Sequence, residues 1–566
     1  MNHDLERHCP HKSRGGKGKY RLVTLALIAI VSTIWFVIRT GTKPSRILYP
    51  CQQAALANIS FFKTAVSVSL PSIATLRVST GWLKPIAVLT ILSVGGFVVA
   101  TDPIEIGFQT MQNGSNQGRI PIVLTEQSAA DQENASNLFY IQNATGPEGN
   151  MDSSVSALID LMGSQGVHFY KTGATPDGLI GSNDVVIIKI NGQWERRGGT
   201  NTDLIKSVIN AILDHPEGFT GEVVIADNGQ GLGSMDYSYP NSYFKNQSSQ
   251  DVADFFAPEW NVSTILWDDL RSSTVDDYDD GDFTDGYVRS SIWDDETQLY
   301  TSYPKFQSPA TGAYISFKQG VWRNDTGFDF EGLKILNMPV LKTHDLLGVT
   351  ACVKHYMGVP QGHIVGSVSP NVPHEHYSIR HGGMGTMIAE TRAPDLNILD
   401  MVWVNANPIE SSIDRGPWSI YSAASATDII GASIDPVALD YWSAKHILIP
   451  TAEYLDYTSY SSLDPDYEPI TQHINYPFVQ QEESFHNYLE RSMNVLKDAG
   501  FLVTMSETEM NVFVEIMSNT GPVTPTIPDG SGSLDYLPIV IGGAALVLVA
   551  VIVIAFKKQS TTRKMI

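Results

Sequence analysis

Short apolar runs recur along the middle of the chain, each followed by a polar loop and then a stretch with helical spacing. Val185–Ile190, "VVIIKI", is apolar except for one lysine, which predicts a strand buried on both faces. A loop rich in Gly and Arg, "NGQWERRGGTNT", comes next, and then a helix from about Asp203 to Asp214 with Thr202 as its cap. Val223–Ala226 is the next apolar strand, so the unit reads βαβ. Further strands fit Leu333–Asn337, Leu396–Val404 and Ile429–Ser433, and the last leads into "DPVALDYWSAKHI", a helix capped by Asp435 with Pro436 at its first position. The pattern predicts an α/β fold, a mostly parallel sheet covered by helices on both faces.

Two features interrupt the alternation. The segment 255–326 reads as an insert, and its core, "WDDLRSSTVDDYDDGDFTDGYVRSSIWDDE", carries eleven acids in 30 residues. Counted from Asp277, Gly281 falls where an EF-hand needs its third oxygen ligand, so the stretch reads as a solvated acidic loop in preference to a calcium site. The second feature is apolar length at the two ends. Leu537–Phe556 has no charge and is followed by Lys557 and Lys558, which predicts a membrane helix over 536–556 with a cytoplasmic tail over 557–566. The preceding "GPVTPTIPDGSGS" has linker composition, and 521–535 is expected to tether the body.

A basic tail over 1–21 precedes an N-terminal membrane region over 22–101, with spans at 22–38 and 86–100 and a weaker third in 47–76. Three spans, or a single signal anchor at 86–100, leave the body outside. That body divides into 102–180, an α/β domain over 181–450 and a C-terminal part over 451–520. Sequons at Asn113, Asn134, Asn143, Asn246, Asn261 and Asn324 fit an outside glycoprotein, although chance supplies about as many.

Charge sharpens this picture. The chain of 566 residues has a net charge of -23, but residues 101–556 hold 21 Lys/Arg against 58 Asp/Glu. A body that acidic repels phosphate backbones, so no nucleic-acid partner is expected, whereas the lipid bilayer is. Cys9, Cys51 and Cys352 form no CxxC pair, so no iron–sulfur cluster is expected.

The candidate chemistry lies at the carboxyl ends of the strands, where parallel sheets bind ligands. Lys189 and Asn191 end the first strand, Asp227 the second, Lys342 and His344 the third; Asp400 lies on the fourth, and Asp435 follows the fifth. Lys342 and His344, two apart in an extended segment, face one side beside the start of the next helix, a setting that suits an anion. If 345–356 is helical, His344 and His355 stand about 16 Å apart, too far to share a metal. Lys354 joins the candidate ligand contacts. "QGHIVGSVSPNVPHEHYSIRHGG" holds four histidines, and His374 and His376, flanking Glu375, are spaced to hold a divalent metal, with acid–base work as the other reading. Cys352 reads as a buried, inert thiol. No Walker loop, GxSxG elbow or GxGxxG fingerprint is present.

The stretches "IIKIN" (187–191), "ILNMPVLKTH" (335–344), "GVTACVKHYMG" (348–358), "RGPW" (415–418) and "ASIDPVALD" (432–440) together resemble the domain-of-unknown-function family 362, over about residues 180–450. The resemblance implies an α/β domain with a conserved ligand site. Several relatives append a ferredoxin-like cluster. This chain lacks the cysteines for one and has His355 where the family has asparagine. The family's biochemical role is itself unsettled. Two functional readings stand. One is a membrane-anchored enzyme acting on an anionic small molecule, with Lys189, Asn191, Lys342, Lys354 and Asp435 as ligand contacts and His344, Asp227 and Asp400 as catalytic groups. The other is a non-catalytic surface protein that binds an anion or metal in the same cleft.

Overall fold

Each apolar run becomes a strand because it can be buried on both faces at once. In the computed structural model β1 is Ser136–Gln142, β2 Val185–Ile190, β3 Glu222–Asp227 and β4 Val262–Leu266. A separate small sheet follows: β5 Gly286–Arg289, β6 Ser302–Gln307, β7 Tyr314–Ser316, β8 Gly320–Arg323 and β9 Gly327–Asp329. The chain then returns with β10 Leu333–Met338, β11 Val340–His344, β12 Gly348–Thr350, β13 Leu396–Asn405, β14 Ser425–Ser433 and β15 Met510–Ile516. The structure describes residues 119–518 except 131–133, 194–196, 230, 232, 237–246, 345–346, 362–375, 408–423, 458–459 and 468–483, and describes no side chain at 148, 376 or 377.

The large sheet runs β15-β1-β14-β13-β10-β2-β3-β4, with β11 beside β13 and β12 beside β11. Its central run from β4 to β13 is parallel, as is β11 with β13. However, β14 is antiparallel to both β13 and β1, and β12 is antiparallel to β11, so the sheet is mixed, not mostly parallel. The expectation failed for a physical reason. An apolar run reports burial on both faces, and β14, buried at every residue, meets that condition in antiparallel pairing equally well.

Alternate residues of the strands enter two cores. Ile187, Ile335 and Leu399 face one, with the helices Cys352–His355, Gly383–Glu390, Pro436–Ser443 and Phe485–Asp498. Ile188, Leu336 and Ile398 face the other, with the helices Asp152–Ser164, Thr202–Leu213 and Ser249–Phe256. The Thr202–Leu213 helix is capped by Asn201, one residue before the expected Thr202. Between Lys342 and His355 a helix was expected from residue 345, but β12 intervenes. Gly348, at φ 75°, sits in the left-handed region, and a Cβ there would lie 1.9 Å from the Ser462 carbonyl oxygen. The Pro436–Ser443 helix starts as expected, with Asp435 as cap.

Val262–Leu266, within the acidic segment, is β4 of the large sheet, and the remainder builds the small sheet. There the acidic loop closes around a lysine. The Lys305 ammonium donates to the carbonyls of Asp276 at 2.5 Å and Asp282 at 2.6 Å and lies 4.5 Å from the Tyr278 ring centroid. Burial pulls its pKa down while Asp282, Asp277, Asp285 and Asp276 pull it up. No helix among the described residues is long and apolar enough to cross a membrane. The expected spans at 22–38, 47–76, 86–100 and 536–556 lie outside the described residues.

Replacing Lys305 by Met leaves two loop carbonyls without their donor and several acids without their cation. At about 1–3 kcal/mol for a buried polar group left unsatisfied, the urea midpoint should fall clearly. An unchanged midpoint contradicts this account of the acidic loop.

Candidate functional site

The site begins with a polar row across the sheet. Lys189 on β2 is in register with Ala226 of β3 on one side and with Asn337 of β10 on the other. Asn337 pairs with Asn397 of β13, and Asn397 with Ser433 of β14. All five are buried, and each hydrophilic member has a partner. The Lys189 ammonium donates to Asp227 Oδ1 at 2.8 Å, and the Gly192 N–H donates to Asp227 Oδ2 at 2.8 Å. Burial holds the Lys189 pKa below its ordinary value, against the pull of Asp227. Gly358 closes over this pair. A Cβ at that position would lie 2.4 Å from Asp227 Oδ1 and 2.6 Å from Lys189 Nζ.

Lys342 forms the second part. It lies on β11 opposite Thr350 and donates to the Gly198 carbonyl in the loop after β2. Burial, and then the charge of Lys354, push its pKa down to about 7, while Asp227 and Asp400 work against them. Asp400 accepts from the Asn201 N–H at 2.7 Å and the Val402 N–H at 3.0 Å. It thus ties β13 to the start of the Thr202–Leu213 helix. Burial pushes its carboxyl up to about 6, offset in part by these hydrogen bonds and by Lys342.

The short helix Cys352–His355 delivers Lys354 and His355. Its first N–H groups are met by Asp440, which accepts from Cys352 at 2.6 Å and from Val353 at 2.8 Å. Asp440 in turn belongs to the helix that Asp435 caps. Asp435 accepts from Val437, Ala438, Ser136 and Thr504, so both its oxygens serve structure. The two aspartates of "SIDPVALD" therefore hold one helix, and through it the next. Lys354 approaches Met357 Sδ at 3.9 Å. His355 Nδ1 is 2.7 Å from Asn337 Oδ1, and burial, followed by the charges of Lys189, Lys342 and Lys354, holds its pKa well below the histidine range.

The structure thus brings together Lys189, Asp227, Lys342, Lys354 and Asp400. Asn191 is buried next to them, its N–H on Thr200 and its Oδ1 without a hydrogen-bond partner. His344 is half-buried at the end of β11, opposite Gly348. His374 lies outside the described residues, and only the backbone of His376 is described, in the helix His376–Arg380. Among the described residues no group of three His, Cys, Asp or Glu is placed to hold a metal ion. Cys352 is buried, and its thiol is pushed well up. Sequence reasoning did not single out Asn337, Asn397 or Asp440 and gave His355 no role. The signal was available in "LKILNM" and "LNILD", where an asparagine stands among the apolar residues of a buried strand.

A buried ion pair that loses one member leaves an uncompensated charge, at a cost of about 3–5 kcal/mol. Asp227→Leu should therefore destabilise the domain strongly, and Lys189→Met added to it should restore most of the loss. If urea unfolding finds the double variant no more stable than Asp227→Leu, the pair is not the anchor described here.

No curated protein and no solved structure matches the chain significantly. The stretch from the start of β10 to the end of the Pro436–Ser443 helix carries Asn337, Lys342, Lys354, His355, Asp400 and Asp440. Residues 331–445, which include that stretch, match the family model described as "Domain of unknown function (DUF362)".

Proposed function

We propose that the carboxyl edge of the sheet binds an anionic small molecule and that the domain is an enzyme acting on it. One observation carries the reading: Lys189, Lys342 and Lys354 are buried close enough for Lys354 to depress Lys342 and for all three to depress His355. Like charges crowded away from water disfavour one another, and an anion among them offsets that cost. In a desolvated setting its contacts are worth more than at an open surface. Lys342 and Lys354 are the anion contacts in this reading, with Asn191 Oδ1 left to accept from a donor on the same molecule. Asp400, raised to about 6 by burial, is the carboxyl beside Lys342 that can exchange a proton.

The test is calorimetric titration with inorganic phosphate and with succinate. Lys342→Met should leave folding nearly unchanged and weaken the tighter of the two at least tenfold, about 1.4 kcal/mol. The pH dependence has a definite sign. Lys342, depressed to about 7, carries its charge below that pH, so affinity should fall as pH rises through about 7. The groups facing it, Lys354, Asp227 and Asp400, shift the midpoint but not the direction. Stability without ligand runs the other way: the Lys342 contribution is present above the ordinary lysine pKa and is lost as pH falls through about 7. No binding of either anion, or affinity indifferent to Lys342, overturns the proposal.

We also infer that the body is held at the outer face of a membrane, on the strength of the uncharged run Leu537–Phe556 before Lys557-Lys558 and the basic N-terminal flank. Protease added to intact cells should digest the body and spare the C-terminal tail. A protected body contradicts the assignment.

A further inference from the structure

We infer that His355 is the group that takes a proton from the bound anion, an inference that rests on the anion-binding reading above. The hydrogen-bond network decides which ring nitrogen of His355 carries hydrogen.

Asn397 Nδ2 donates to two main-chain carbonyls, Ser433 at 3.1 Å and Ile434 at 3.3 Å. Main-chain oxygens cannot exchange roles, so the Asn397 amide has one orientation and turns its Oδ1 toward Asn337. Asn337 Nδ2 donates to that oxygen at 2.8 Å and to the Cys352 carbonyl at 3.2 Å. Asn337 therefore presents Oδ1, an acceptor, to His355 Nδ1 at 2.7 Å. Nδ1 must be the N–H. Burial and the three lysines keep the ring neutral, so Nε2 bears only its lone pair.

That Nε2 is buried, and it has no hydrogen-bond partner. The Ile190 backbone approaches the ring and favours its protonation, but without the geometry of a hydrogen bond. A buried acceptor left unmet costs stability, which a fold tolerates where a ligand completes the bond. The amide relay from β14 through β13 and β10 thus positions a basic nitrogen in the field of Lys189, Lys342 and Lys354. Asn337 and Asn397 are positioning residues; His355 is the one placed to meet the ligand.

The lysines make His355 a weak base in the empty site. An anion bound among them offsets their field and raises its proton affinity, so the base is switched on by the molecule it acts on. In the step itself an acidic hydrogen of the ligand leaves its atom and forms the Nε2–H bond. The electron pair stays on the ligand, and the new negative charge is stabilised by Lys342 and Lys354. The fitting substrate class is a small carboxylate that carries an exchangeable hydrogen near its carboxylate group.

The test uses bromoacetate, which offers a carboxylate to the lysines and an electrophilic carbon to Nε2. The lone pair forms a C–N bond while the C–Br bond breaks and bromide leaves. Peptide mapping should find carboxymethylation at His355, at least tenfold faster relative to free imidazole than reaction with neutral bromoacetamide, and slowed by phosphate. Lys342→Met should remove the preference for the charged reagent. Equal labelling of His355 by both reagents keeps the bare nitrogen and overturns the anion site. No labelling of His355 by either, while other histidines react, overturns the inference. A long-range nitrogen NMR spectrum decides independently of reagent access: hydrogen on Nδ1 is expected, and hydrogen on Nε2 overturns the assignment.

Discussion

A lysine ammonium beneath a covered sheet must be given a counter-charge, and the Lys189–Asp227 pair is where this molecule meets that constraint. Both groups lie at the ends of neighbouring parallel strands, with the Gly192 N–H on the second carboxylate oxygen and Gly358 closed over the top. Because the pair is sealed, its surroundings are dry. Dryness in turn depresses Lys342 and His355 and raises Asp400. Without the seal, water would screen the three lysines from one another and the site would be an ordinary basic surface.

The second dependency runs through caps. Asp435 starts the Pro436–Ser443 helix, Asp440 on that helix starts the Cys352–His355 helix, and that helix carries Lys354 and His355 to the polar row of the sheet. A helix of four residues has little stability of its own. It holds its place through Asp440 beneath its N-terminus and through Asn337, which touches both its first carbonyl and its last side chain. Residues far apart in sequence thereby fix the orientation of one imidazole.

Much of the scaffold was legible in the chain. "VVIIKI" and the Asp435–Pro436 start are local signals, and local physics decided them in the folded molecule as well. Strand direction was not legible, because the burial of β13 and β14 on both faces looks alike in parallel and antiparallel pairing. Within the site, Lys189, Lys342 and Asp227 could be picked out as charges at strand ends, Asp400 as a carboxylate on a strand, and Lys354 as a charge just beyond one. The role of Asp440 could not, since a cap for a distant helix and a ligand contact have the same sequence appearance. The Asn397–Asn337–His355 relay escaped for a similar reason. It exists only through strand register, which brings residues 60 apart in the chain within 2.8 Å.

The central claim is that an anion belongs among Lys342, Lys354 and His355. Crystals soaked in selenate, read by anomalous scattering, test it most directly. The account predicts a peak within hydrogen-bond reach of the Lys342 and Lys354 ammonium groups, on the side of the His355 ring that bears Nε2. Anomalous density confined to the exposed surface, with these three side chains undisturbed and no peak among them, would contradict it.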